Sequence, residues 1–553
     1  MIAEKLTTLP FLDKYRNRAS GFSFLEVSII VALACVPLFV TFPYRVNIFL
    51  SWEGAYRLSK GHVPFRDFGM PMGYMYWVIP SFFFKLFGTQ LITLVKAQVF
   101  INIISGLAFS SILKSLRVQQ GVRFLSVLLY CLSFSFFNFW PWYNHTVIVY
   151  EMIAIAFLLK YLFSSDAKVG WAWLVLSALF VLFSFFTKQD AGGLCFVLCA
   201  ALLICHCLYE RSWLPVLVYM GGIVLAGGLF VYPYLAYNLE YWFNYGQAPH
   251  TARLSIFDVL NDFLSGSEWI KFYFLLIILL SFAAFKGRKT QEWSKRQSIF
   301  LLLTLGILGE AVILQVTSYT PPDNNIFFHA FAFAYILSFL SHFLQLDFLK
   351  LKPLIICGLG LLLWWSGTYW KYFERMAQRV VGGSVAKNNT TENIVNRKTY
   401  KINAQATDIP MSRWKFSKLK SFEKIYMPLP TIQGIDRLMA MDEVKNKKDL
   451  RVLNMTELTP LAEEIPYELE RGTDQPLWYH LGVSMFNRQA QMFERRISKK
   501  EYDLVLFEYV PSLNNFFPFR VRDSLQVHYQ KRDSFIAPRR GETQGIIEVY
   551  TRN

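Results

Sequence analysis

Eleven apolar runs near 20 residues in length recur between residues 23 and 370, and they constrain this chain more than any other feature. They lie at roughly 23–44, 90–113, 124–141, 146–163, 170–187, 191–208, 213–236, 269–285, 298–316, 326–344 and 353–370. A helix needs about 20 apolar residues to cross the hydrocarbon core of a bilayer, so each run reads as a span. An outer-membrane barrel is excluded, because its short alternating strands would not give such runs. Charge divides the chain in the same way. Residues 1–370 carry 26 Lys+Arg and 17 Asp+Glu, and the remaining 183 carry 30 and 22. The first part is about 12% charged and the second about 28%, against roughly 25% for an average soluble domain. The predicted fold is a polytopic α-helical membrane protein of about eleven transmembrane helices, followed by a polar body large enough to bury its own core.

With the N-terminus in the cytoplasm, 17 of the 26 cations in residues 1–370 fall on cytoplasmic segments, as the positive-inside rule requires. An odd number of spans then puts the C-terminal body outside. The expected order is a cytoplasmic N-terminus (1–22), a transmembrane domain (23–370), a polar linker (371–412) and a soluble extracytoplasmic α/β domain (413–553). The expected location is the plasma (inner) membrane, with the first run retained as a signal anchor. In the C-terminal domain, DLRVLNM (449–455), YDLVLFEYV (502–510) and GIIEVYTR (545–552) read as strands. TELTPLAEEI reads as a helix after a Thr456 cap.

The net charge of +17 divides as +9 before residue 371 and +8 after it, with no concentrated basic motif. A solvated surface facing membrane lipids fits this better than nucleic-acid binding. All seven cysteines lie in apolar runs and none in the C-terminal domain, so no disulfide framework is implied. The Cys195/Cys199 and Cys205/Cys207 pairs are read as packing residues of apolar runs rather than as a metal site, although His206 stands between the second pair.

The first outer segment, 45–89, holds five cations and the acids Glu53 and Asp67 on the side that topology depletes of cations. Its second half, PMGYMYWVIPSFFFKLFG, is aromatic and interrupted by Pro71, Gly73 and Pro80, and suits an interfacial helix rather than a span. A carboxylate at this rim can act as a general base while Arg or Lys neutralises a phosphate leaving group. Alternatively, Glu53 and Asp67 pair with Arg57 and Arg66 to hold the loop together.

The order of motifs bears on this choice. Glu53-Gly54-Ala55-Tyr56-Arg57 is followed by Gly61, then by Pro64-Phe65-Arg66-Asp67, then by Pro71-Met72-Gly73-Tyr74 and the aromatic segment ending in Phe87-Gly88. This resembles the first outer loop of the GT-C glycosyltransferases, among them the protein O-mannosyltransferases and the lipid A aminoarabinose transferase. Thr187-Lys188-Gln189-Asp190-Ala191-Gly192 resembles a second segment of that group, at the outer end of a middle helix. The resemblance implies a multi-spanning enzyme that takes a polyprenyl-phosphate sugar as donor substrate and a lipid, glycan or protein as acceptor. No resident cofactor is implied, and dependence on a divalent metal is left open. It makes Glu53 the candidate base with Asp67 next, and Lys188 a contact for the donor phosphate. Arg57 or Arg66 would assist Lys188. Where the group often has an acid opening the fourth helix, this chain has Asn144 and His145, which are assigned to substrate binding.

Other polar residues have two readings each. Glu151 and Glu310 suit either an inward cavity or a hydrogen-bonded structural carboxyl. His329 suits phosphate contact or a hydrogen-bonded rim. Tyr241, Trp242, Tyr245 and His250 suit a sugar cleft or an aromatic belt. A transporter or flippase is the competing function; it predicts inverted repeats and broken helices in matching halves, and neither is visible in the sequence.

Overall fold

The structure, a computed structural model, describes residues 11–552 apart from 244–255, 287–293, 318–325, 371–408 and shorter gaps of at most five residues. Helix α1 (Phe11–Ala34) leads into a loop carrying α2 (Ile48–Ser59) and α3 (Met75–Phe87). The chain continues through α4 (Leu91–Ser115), α5 (Gln120–Ser135), α6 (Tyr143–Leu162), α7 (Ala167–Phe185), α8 (Gln189–Glu210) and α9 (Leu214–Val231). Helices α10 (Glu268–Lys286), α11 (Lys295–Thr317), α12 (His329–Phe343) and α13 (Leu351–Trp364) complete the bundle.

Each of the eleven apolar runs lies on a helix. Eight helical stretches among the described residues are long and apolar enough to cross a membrane, while Ile256–Ser265 and Trp269–Ala284 form a pair bent by 85°. The other two, α5 and α13, have 16 and 14 residues. At 1.5 Å per residue neither reaches the roughly 30 Å of a hydrocarbon core. Helix α5 is buried along nearly its whole length, so neighbouring helices rather than lipid surround it.

Polar pins tie the bundle together. Glu26 of α1, fully buried, accepts hydrogen bonds from Arg123 of α5 at 2.7 Å and Ser110 of α4 at 3.1 Å. Glu151 of α6 and Glu310 of α11 are both buried within the bundle. Asp166 caps α7 by accepting from the amides of Lys168 and Val169. Helix α3, with 13 residues, buries Trp77 and Phe84 while Phe82, Leu86 and Phe87 are exposed. That two-sided character belongs to a helix lying along a membrane surface.

Two sheets follow the bundle. Strand β1 (Phe42–Pro43) comes from the first loop, whereas β2 (Trp414–Phe416) and β3 (Ile425–Pro428) come from the C-terminal region. Strand β3 is central, parallel to β1 (Phe42 opposite Ile425) and antiparallel to β2 (Trp414 opposite Pro428). The second sheet contains β4 (Val452–Met455), β5 (Leu504–Tyr509), β6 (Tyr529–Ile536) and β7 (Ile546–Arg552) in the order β4-β5-β7-β6. Strands β4 and β5 are parallel, and β7 is antiparallel to both its neighbours. Helices α14 (Leu429–Ala440), α15 (Phe486–Ser498) and α16 (Phe519–His528) pack around these strands. One hydrophobic cluster unites Trp52, Phe68 and Trp77 of the loop with Leu458, Leu504 and Ile547 of the C-terminal region. The loop and the α/β region therefore fold against a common core.

The three predicted strands match β4, β5 and β7. The helix expected in TELTPLAEEI shrinks to Leu461–Glu464. Thr456 closes a turn instead, accepting from the amide of Leu458 at 3.0 Å and donating to Asn454 Oδ1 at 2.7 Å. Pro460 disfavours helical geometry at Thr459, so the helix cannot begin earlier. The expected linker lies almost wholly outside the described residues.

Candidate active site

Helix α2 places two ionisable side chains four residues apart, and so on one face. It is buried from Ile48 to Arg57. Trp77 of α3 covers Gly54, and its Nε1 donates to the carbonyl of Leu50 at 3.0 Å. On the other side, Trp52 stacks on Tyr56 with ring centroids 4.4 Å apart. This packing gives Glu53 a fixed direction.

Arg57 reaches Glu53 Oε1 twice, through Nε at 2.9 Å and Nη2 at 2.8 Å. Its Nη1 donates to the carbonyl of Glu470 at 2.8 Å and lies 3.5 Å from His62 Nδ1. Among the described residues no hydrogen bond reaches Glu53 Oε2. Burial raises the Glu53 pKa above the ordinary carboxylate value, and Arg57 only partly opposes this. Burial, followed by the charges of Arg57 and Arg471, lowers His62 to about 4. His62 is therefore neutral near pH 7.

Glu53 and Arg57 face a small cavity of about 40 Å³. Its opposite wall belongs to the C-terminal region and includes Asn454, Thr459, Tyr467, Gln475 and Tyr479. Thr459 Oγ1 and Gln475 Oε1 are buried without hydrogen-bond partners among the described residues. A buried polar atom in that state is costly, and a hydroxyl-bearing ligand would relieve it.

Asp67 has a different setting. Its Oδ2 accepts from the amide of Val63 at 2.8 Å and from Arg66 Nη2 at 2.7 Å, and its Oδ1 accepts from Arg66 Nε at 3.0 Å. The hydrogen bond from Arg66 holds its pKa below the ordinary value, despite partial burial. The Asp67 carbonyl accepts from Gly472, and Gly69 exchanges hydrogen bonds with Gln475 and Leu477. Asp67 and Arg66 thus shape the loop that carries the wall of the Glu53 cavity.

Lys188 lies elsewhere. It precedes α8, is 7% exposed, and contacts Asp190 Oδ2 at 3.1 Å, with its Nζ 6.0 Å from the Tyr143 ring centroid. Asn144 and His145 follow Tyr143 on α6. Asn144 Oδ1 and both ring nitrogens of His145 are buried and unpartnered among the described residues. Ring contacts run from this cluster to the helix that carries Glu53: Tyr143 lies 5.9 Å from Tyr76, which lies 4.6 Å from Trp77, the residue covering Gly54.

The candidate residues thus form two groups, Glu53 with Arg57 beside Asp67 and Arg66, and Lys188 with Asn144 and His145. His329 belongs to neither and packs against Tyr273 at 5.0 Å and Trp365 at 5.9 Å. Tyr241 and Trp242 are packing residues. Tyr241 accepts from Gln489 at 2.8 Å and fills the space beside Gly69, while Trp242 stacks on Phe186 at 4.9 Å. Tyr245, His250 and the segment at 321–325 lie outside the described residues. No group of three His, Cys, Asp or Glu side chains that could hold a metal occurs among the described residues.

Sequence reasoning missed His62, Tyr467, Glu470, Gln475 and Tyr479. His62 had a signal, standing between Gly61 and the Pro64–Asp67 motif. The others had none, since Arg57 meets Glu470 across 413 residues of chain.

The overall fold has a counterpart among solved structures. In particular, it is similar to the crystal structure of ArnT from Cupriavidus metallidurans in the apo state, with a TM-score of 0.51 over 96% of this chain and 98% of that one, at 12% identity. A second structure of that protein, bound to undecaprenyl phosphate, gives a TM-score of 0.49 at the same identity and coverage. No protein-family model matches the chain, and no curated protein does.

Proposed function

We propose that this chain is an integral-membrane, inverting glycosyltransferase that moves a sugar from a polyprenyl-phosphate donor to an acceptor on the extracytoplasmic face. The observation that carries this reading is the small cavity in which Glu53 keeps one carboxylate oxygen free of hydrogen-bond partners among the described residues. A buried carboxylate with a raised pKa is a stronger base than an exposed one, and Arg57 fixes its orientation without using Oε2.

In the proposed reaction, the acceptor O–H gives its proton to Glu53. The oxygen bonds to the anomeric carbon as the bond from that carbon to the phosphate oxygen breaks, and the electron pair leaves with polyprenyl phosphate. Lys188 is assigned to the phosphate, with a ring N–H of His145 as a further donor to it, while the unpartnered Asn144 Oδ1, an acceptor, is assigned to a hydroxyl of the donor sugar. Asp67 and Arg66 position the loop.

Mass spectrometry of lipids and surface glycans from a deletion strain tests the reading. Complementation with the wild-type gene is expected to restore a missing sugar and to clear accumulated donor, whereas Glu53→Gln restores neither. A Glu53→Gln protein that restores the glycan fully removes the proposed base.

A further inference from the structure

Behind the Glu53 cavity lies a second, wider cleft of about 790 Å³, between the end of α2 and the C-terminal region. Val452, Tyr467, Leu469 and Glu470 line both spaces. These shared residues therefore lie between the two spaces, and the wide cleft adjoins the small one.

The lining chemistry is mixed and nearly balanced. Three ion pairs brace it: Lys60 with Glu463 at 2.9 Å, Arg496 with Glu470 at 3.1 Å, and Arg451 with Glu501 at 3.5 Å. Asp449, Glu468 and Arg471 also face the cleft and have no ion-pair or hydrogen-bond partner among the described residues. Tyr56 and Tyr502 add amphipathic surfaces. Apolar lining is confined to Leu450, Val452, Ala462 and Leu469.

Each feature narrows the occupant. A lipid chain would need a continuous apolar wall, which the cleft lacks. A polyanion would meet five carboxylates against four cations. A neutral saccharide carries hydroxyls that both donate and accept, so alternating carboxylates and guanidinium groups satisfy it without net charge, and tyrosine rings can cover its apolar faces. The volume lies within the roughly 300–1,000 Å³ of ligand pockets and exceeds the needs of a single sugar.

We infer that this cleft is the acceptor site and that the acceptor is a neutral oligosaccharide, one hydroxyl of which passes Tyr467 and Glu470 to reach Glu53. This rests on the reading of Glu53 as the base. It makes the protein an enzyme that extends a glycan rather than one that modifies a polypeptide or an anionic lipid headgroup.

The test uses full-length protein in lipid nanodiscs on a printed array of neutral oligosaccharides, anionic oligosaccharides and unglycosylated peptides. Wild type is expected to bind a subset of the neutral oligosaccharides. Arg471→Glu is expected to weaken that binding about tenfold or more, the cost of losing a charge-assisted hydrogen bond. Thermal unfolding and gel filtration establish that each variant is folded, and if Arg471→Glu is not, Arg471→Gln and Glu468→Gln replace it under the same criterion. Binding confined to anionic glycans or peptides, no binding at all, or binding untouched by the Arg471 variants overturns the inference. Retention of transfer by Glu53→Gln in the strain assay would instead overturn the base, and with it the delivery of a hydroxyl to Glu53, whatever the array shows.

Discussion

The indole of Trp77 lies against the backbone of Gly54, so close that a β-carbon at residue 54 would fall 1.9 Å from its Cε2. The neighbour is a fully buried ring, already hydrogen-bonded to Leu50, and cannot yield cheaply. Gly54→Ala is expected to destabilise the protein by about 1–3 kcal/mol, the usual cost of overpacking, and to displace Glu53 with it. Gly193 of α8 has no atom within 4 Å of an added β-carbon, so Gly193→Ala is expected to be neutral or slightly stabilising. Thermal unfolding in detergent compares the two. Equal effects would mean that Trp77 does not clamp α2.

Glu53→Gln preserves shape while removing the base. General-base catalysis contributes about 10²- to 10⁴-fold, or roughly 3–5 kcal/mol of barrier. The variant is expected to fold and to bind donor while losing transfer by at least about 100-fold. Asp67→Asn, which weakens a loop clamp, is expected to keep more activity than Glu53→Gln. The reverse ranking in a transfer assay would exchange the two roles.

Lys188→Ala separates phosphate contact from simple interfacial placement. If the ammonium meets the donor phosphate, the KM for donor rises with little change in folded yield. An unchanged KM would remove Lys188 from the donor site.

The His62 pKa is lowered to about 4 from an ordinary 6.5, so between those values the folded protein binds fewer protons than the unfolded chain. Stability therefore falls as pH drops through that window, and the contribution is fully present above about 6.5. Tm is expected to fall between pH 6.5 and 4, and His62→Gln to reduce the slope. Identical slopes in the two proteins would show that His62 titrates normally.

The C-terminal region lacks native cysteine, so a cysteine introduced at the exposed Lys445 marks its side of the membrane. A membrane-impermeant maleimide is expected to label intact cells expressing Lys445→Cys. Labelling only after permeabilisation would invert the topology and place Glu53 away from an extracytoplasmic acceptor.

Much of the bundle was legible because twenty consecutive apolar residues have few ways to fold. Glu53 was legible as a candidate because it is one of two acids in the first outer segment and fits the resembled motif, but helix α2, which carries it, was not foreseen. The roof of that site was not, since Tyr467, Gln475 and Tyr479 come from a region joined to α2 only by the final fold. Strand β6, YQKRDSFI, was missed because an edge strand can carry charge on its open face. There Lys531 and Arg522 pair with Glu548, which burial would raise but which these contacts hold down to about 2. Thr456 misled in the opposite direction, because a residue that can cap a helix can equally close a turn.

The pairing of β1 with β3 also has a bearing on how the protein is made. Phe42 and Pro43 leave the ribosome early, yet Ile425 and Tyr426, their partners, follow only after the whole bundle has been synthesised. Until then α2 lacks the C-terminal residues that line the cavity beside Glu53. A translation product that stops within the bundle carries the carboxylate without its cavity. The cavity beside Glu53, whose lining includes Tyr467 and Tyr479, is therefore complete only after synthesis has passed those residues.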